Sequence, residues 1–388
     1  MDERLDENLD EGGRKPLSRP ATLFLLTMAV VLAVAALAAY RNGTGFDVLR
    51  RYFHYGDARR ADSEIRYEYE LSGKNRFAAV GDYLAVLSDT SFRLLDSAGG
   101  ELWSQSVRME SPALEQGGGR VVAYDVGGTE LYVADESGVL LTLTAEEDEP
   151  FLAARLNRNG YLAVTAGAKG LRGLVRVYDD HFETMFDFNS AERFVCDACV
   201  TDDGRYLAAV TLGQDGGVFV SDVVFYRLDQ EEPYAECPFP GQLAAGIGQQ
   251  GSSLAVVTDG SLAFVDTDGT VRARRDYPNE YLRGYSLSGD GFAALLLNRY
   301  QSGSVARLVT VDGGGRELGS LDVREEVLSL SAAGRYVAVL YANRLAVYNQ
   351  YLQEYAVLEN TDSLRQVMMR SDGSVMTLGG TSAGLYLP

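Results

Sequence analysis

The chain has little of what most small-molecule chemistry is built from. It has three cysteines, two histidines and one tryptophan in 388 residues. Three cysteines, Cys196, Cys199 and Cys237, cannot staple a disulfide framework. A structural zinc site takes four ligands, and the two histidines, His54 and His181, are poorly placed with Cys237 to complete one on Cys196 and Cys199. Positive charge is also short: 35 Lys and Arg stand against 55 Asp and Glu, a formal charge of −20. Nucleic-acid backbones are held by clustered Lys and Arg, so no nucleic-acid partner is expected. Nine prolines against 42 glycines, with 23 tyrosines, describe a chain of strands and tight turns rather than of helices.

Long apolar runs are absent except for one. Ala21 to Tyr40, "ATLFLLTMAVVLAVAALAAY", carries no charge over twenty residues, the length a helix needs to cross a hydrocarbon core. Ala36-Leu37-Ala38 offers a signal-peptidase site as the competing reading, but the run exceeds an ordinary signal h-region. A single transmembrane helix over 21–40 is therefore expected. Residues 1–20, with six acids, then form a disordered cytoplasmic tail, and residues 41–64 a juxtamembrane stalk with a helical turn or two. Lys and Arg flank the run about equally. A short leader before a large domain leaves the leader inside, so the expected location is the cell membrane, single-pass, with the following domain extracellular.

From residue 65 to 388 the pattern is all-β. "GRYLAAV" at Gly204 returns as "GRYVAVL" at Gly334, and related stretches begin near Gly81, Gly119, Gly160, Gly251, Gly291 and Gly373. These glycines lie 38 to 47 residues apart, the period of a propeller with one four-stranded blade per repeat. The last repeat is one strand short. "IRYEYEL", Ile65 to Leu71, alternates apolar residues and can supply the missing outer strand, closing the ring and removing an edge. The expectation is an eight-bladed β-propeller closed by an N-terminal strand, or a seven-bladed one if the weak repeat at Gly119 merges with a neighbour.

"RLLDSAGGELW", Arg93 to Trp103, resembles a PQQ-type propeller repeat, though its spacing is one residue short and no other repeat has the tryptophan. The layout of anchor, Tyr/Arg-rich stalk and divergent "YLAV…VYD" blades resembles the bacterial membrane-anchored family known as domain of unknown function 5711. That resemblance implies a surface-facing propeller and carries no catalytic residue.

Several local patterns look chemical and lack their context. "GIGQQG" (Gly246–Gly251) leads into a strand rather than the helix a dinucleotide site needs. "GTSAG" (Gly380–Gly384) has no acid or histidine after Ser382. "CDAC" (Cys196–Cys199) has the spacing of a metal pair without the other ligands. Asp266 and Asp268 start like a calcium loop that is never completed. One tryptophan argues against a PQQ cofactor. No catalytic, cofactor-binding or metal-ligating residue is assigned, and no cofactor is expected. The expected function is a non-catalytic binding or scaffolding module of the cell envelope, with a protein or cell-wall glycan as partner. The alternative is a surface glycan hydrolase or lyase with carboxylates in the central channel.

Overall fold

A computed structural model describes residues 24–34, 47, 51 and 66–388. The chain divides into two compact units, Met1–Phe46 and Asp47–Pro388. In the first, residues 24–34 are helical with exposed side chains. Among the described residues no helix is long and apolar enough to cross a membrane, so the crossing helix expected over 21–40 is not found. Its remaining positions, the tail over 1–20 and the stalk over 41–64 apart from Asp47 and Arg51 lie outside the described residues.

The second unit is eight four-stranded antiparallel sheets. Seven are meanders of consecutive strands; the eighth pairs Arg66–Glu68 with Ser382–Tyr386, outside Val375–Gly379 and Leu364–Met369. The N-terminal strand thus supplies the outer strand of blade 8, as the alternation at Ile65–Leu71 predicts. Tyr67 and Tyr69 are buried, while Leu71 is exposed beyond the end of the pairing. The repeat at Gly119 stands as blade 2, and the count is eight.

The ring is held by eight apolar clusters, each lying between two consecutive blades. The repeated heptads are the second strands of blades 4 and 7, and they serve two clusters at once. Leu207 and Ala209 face blade 3, whereas Ala208 and Val210 face blade 5. In blade 7, Tyr336, Ala338 and Leu340 face blade 8 while Val337, Val339 and Tyr341 face blade 6. Alternation sends successive side chains to opposite faces, so a strand with a core on both sides must be apolar throughout. The ring closes where Tyr67, Tyr69, Met376 and Leu378 of blade 8 meet Leu84 and Val86 of blade 1.

Turn chemistry fixes the ends of the strands. All eight repeat glycines have positive φ, from +56° at Gly334 to +87° at Gly160. Each turns the inner strand of its blade into the second. In blades 1, 6 and 7 the third strand ends in a side chain that caps the next turn: Asp96 accepts from the N–H of Ala98 and Gly100 at 2.8 Å, Asp312 from Gly314 and Arg316, and Asn349 from Tyr351 and Gln353. These side chains satisfy backbone donors that a tight turn leaves unpaired.

A meander places its turns alternately at two faces. The inner-to-second and third-to-outer turns share one face, which also receives Asp47 and Arg51. Arg51 is buried and donates to the carbonyl of Asp372 (2.7 Å) and the hydroxyl of Tyr355 (2.6 Å), and Tyr336 donates to Asp47 (3.2 Å). This is the near face. The second-to-third loops and the connections between blades form the far face.

Candidate functional site

The central channel is walled by the edges of the eight inner strands. In six of them, blades 3 to 8, the ladder with the second strand skips one residue: Leu152, Cys196, Ala245, Arg283, Leu328 and Arg365. A bulge of this kind re-aims the side chains that follow it. An inner edge also exposes backbone N–H groups. In blades 7 and 8 serine hydroxyls of the preceding blade accept them: Ser286 from Ala332, Ser329 from Val367 and Ser331 from Met369, at 2.9–3.2 Å.

On the opposite side of the ring the wall is ionic instead. Asp197 follows the blade 4 bulge and meets Arg155 of blade 3. The Arg155 Nε lies 2.8 Å from both carboxylate oxygens and Nη2 lies 2.7 Å from Oδ2. Burial works against the Arg155 charge, but the Asp197 carboxylate holds the guanidinium protonated even more firmly than usual. Beside this pair Glu115 projects from the inner strand of blade 2. It accepts no hydrogen bond among the described residues. Burial pushes its carboxyl upward; Arg155 pulls it back and Asp197 adds to the rise.

These three groups line a cavity of about 170 Å³, together with Tyr124, Cys196 and Ala245. Tyr124 is pushed up to about 12 by burial and then by Glu115, so its phenol stays neutral. Tyr285 of blade 6 donates to the Ala245 carbonyl at 2.7 Å, across a gap that Gly246 keeps open. A Cβ at Gly246 would collide with the Tyr285 ring and hydroxyl. The glycine of the "GIGQQG" stretch therefore makes room for a tyrosine in the channel wall, and the stretch is an inner strand, Ala244–Gln250.

The other sequence patterns are found elsewhere and do not converge. Cys196 is exposed in its bulge, while Cys199 and Cys237 are buried in the core between blades 4 and 5; all three are free. Burial raises Cys199 to about 12 and Cys237 to about 11, which keeps both as inert thiols. Ser382 opens the third strand of blade 8, and its carbonyl accepts from Tyr69. Asp266 is taken up by Ser253 and Arg272, and Asp268 caps Thr270. Asp179, Asp180 and His181 cluster at an exposed turn of blade 3. His54 lies outside the described residues.

The sequence reading named no residue of the Glu115–Arg155–Asp197 cluster as a site. Glu115 and Arg155 pair at the same repeat position of blades 2 and 3, opposite Val122 and Ala163, where the other blades carry Ala78, Cys199, Gly248, Ser286, Ser331 and Met368. Two charged residues at that position are a signal that emerges only once the repeats are aligned by strand; Asp197 stands two residues away from it, before the blade 4 equivalent Cys199.

Comparison with solved structures gives propellers at low sequence identity. The C-terminal WD40 domain of Sif2 superposes with a TM-score of 0.60 at 12% identity, covering 84% of this chain and 98% of that one. BamB from Moraxella catarrhalis gives 0.55 at 12%, covering 83% and 98%. Dihydro-heme d1 dehydrogenase NirN, in complex with DHE, gives 0.52 at 14%, covering 75% and 67%. At such identities the likeness is one of fold alone. Among curated proteins, none matches the sequence. The profile of the family of unknown function DUF5711 matches residues 56–378, nearly the whole propeller together with the segment before it, and the chain belongs to that family.

Proposed function

We propose that the chain is a non-catalytic binding module of the cell envelope, anchored through its N-terminal apolar run, with an exported propeller that presents its far face to a protein partner. The observation that carries this reading is where the exposed apolar side chains lie. Leu171, Phe194, Val218, Phe219, Leu243 and Tyr300 all stand on far-face loops or at the strand ends beside them. Val126, Tyr281, Val305 and Leu328 join them there, whereas the near face has Tyr351 on a turn and Leu102, Met185, Tyr234 and Val271 at outer-strand ends beside its turns. Exposed apolar groups gathered on one face mark an interaction surface.

Blade 4 adds a platform. Its second and third strands, Tyr206–Asp215 and Val218–Arg227, pair over ten residues, where other blades pair over four to seven. The excess of three or more residues carries the Val218–Phe219 tip roughly 10 Å beyond its neighbours. Phe194 lies at the base of this hairpin with Arg172 stacked on its ring at 4.9 Å. Aliphatic as well as aromatic groups favour a protein surface over a glycan, which is held by aromatic platforms and polar donors. Asp47 and Arg51, the described residues of this unit that precede its first strand, lie against the near face and not the far one.

The channel hydrolase reading has less support. Acid–base cleavage of a glycoside needs two carboxyl groups free to exchange protons, and both oxygens of Asp197 are engaged by Arg155. Protease shaving of intact cells bearing a C-terminal epitope tag tests the exported orientation. The tag is lost if the propeller is outside; protection that persists after wall removal contradicts the proposal.

A further inference from the structure

We infer that the channel cavity between blades 2 and 5 is a binding site for a primary ammonium group, seated on Glu115. The inference deepens the binding-module reading and rests on it. Its ground is an imbalance within the cluster. Arg155 and Asp197 satisfy one another in a bidentate pair, which leaves the Glu115 carboxylate as the uncompensated charge in the cavity. That carboxylate offers about four acceptor positions and receives no donor from the described residues. Glu115 is part-buried in the channel wall, and a ligand carrying three N–H donors and one positive charge supplies the donors and the counter-charge that its carboxylate lacks.

The same geometry excludes other ligands. An anion would meet both Glu115 and Asp197. Calcium and magnesium take at least six oxygen ligands, and one free carboxylate does not begin such a cage. At about 170 Å³ the cavity admits a short alkylammonium or the end of a lysine side chain, not a nucleotide or an oligosaccharide. Tyr124 supplies a polarizable wall, and Tyr285 stands behind the lining residue Ala245, on its carbonyl.

Binding is coupled to protons. The groups facing Glu115 are Tyr124 on the second strand of blade 2, Arg155 on blade 3, Cys196 and Asp197 on blade 4, and Tyr285 on blade 6. The tyrosines stay neutral and Arg155 stays charged across the neutral range, so Glu115 is the group whose protonation competes with the ammonium, and binding weakens as pH falls.

The test is isothermal titration of n-butylammonium chloride into the full chain in detergent micelles, at two pH values. Saturable binding is expected, weaker at lower pH and weakened at least tenfold by Glu115→Gln, whose fold is checked by circular dichroism. A capped lysine, Nα-acetyl-lysine methylamide, separates the sources: binding as tight as butylammonium assigns the site to a partner's lysine, and exclusion assigns it to a free amine. No saturable binding to the wild type, equal binding to Glu115→Gln, or binding of calcium or butyrate in place of the amine overturns the inference. Failure here with far-face cross-links intact removes the cavity ligand and leaves the docking face untouched.

Discussion

Arg155 and Asp197 join the inner strands of blades 3 and 4 by three contacts of 2.7–2.8 Å. Their side chains keep 29% and 16% exposure, all of it in the channel wall, where water screens poorly. Asp197→Asn strands the Arg155 charge and is expected to cost about 2–4 kcal/mol, a little below the ~3–5 kcal/mol of a fully buried pair because both side chains keep some exposure. Arg155→Met combined with Asp197→Leu removes both charges at similar volume and should cost far less. Urea midpoints of the two variants check the ordering.

Ring closure depends on a three-residue strand, Arg66–Glu68. Tyr67 is fully buried between blades 8 and 1, so Tyr67→Ala should cost about 3–5 kcal/mol. Tyr69 donates its hydroxyl toward the carbonyls of Gly379 and Ser382. Tyr69→Phe removes that bond alone and should cost about 1 kcal/mol. Thermal unfolding distinguishes the two.

Gly81 and Gly334 have nearly the same backbone, φ +57° and +56°, in very different surroundings. A Cβ at Gly81 meets nothing within 4 Å, whereas one at Gly334 would stand 2.6 Å from the Ser371 carbonyl oxygen. Gly81→Ala should cost about 1–2 kcal/mol from backbone conformation. Gly334→Ala should cost at least about 1 kcal/mol more, because backbone must move. The difference in their melting temperatures isolates the steric part.

The pH dependence at Glu115 has a definite sign. Its folded carboxyl is raised above the ordinary 4.5, so the folded chain holds that proton more tightly than the unfolded one. The stabilisation is complete below the ordinary value and is lost as pH rises through the raised one. Glu115→Gln stays neutral throughout. It should be the more stable protein at pH 7, with the advantage closing below pH 4.5. Denaturant titrations at the two pH values measure this.

Thiol accessibility follows the bulge in blade 4. Cys196 should react with a thiol reagent in the native protein, and Cys199 and Cys237 only after unfolding. One fast equivalent followed by two on denaturation is the expected count.

The architecture was legible because a strand packed on both faces has no freedom in its pattern. "YLAAV" and "YVAVL" are apolar at every position because each feeds two interblade cores, and the glycine before them is fixed by positive φ. The closing strand was legible for a related reason, since the last repeat had too few residues to finish a blade. The ionic cluster was not. Glu115, Arg155 and Asp197 stand 40 or so residues apart, and only the ring brings the three inner strands to one wall. The Cys196 bulge shifts the register within "CDAC", so strict alternation misplaces the residues that follow it. The far-face apolar groups are scattered singly along the sequence, and they form a surface only because alternate turns of every blade lie at the same end.

The central claim is that the far face docks a partner. Site-specific photocross-linking in native membranes, with a photoreactive residue at Phe219 on the far face or at Tyr351 on the near face, tests it most directly. Discrete adducts from Phe219, lost when Phe194 is changed to Asp, and none from Tyr351 are the result this account predicts. Adducts from Tyr351 with none from Phe219 would contradict it.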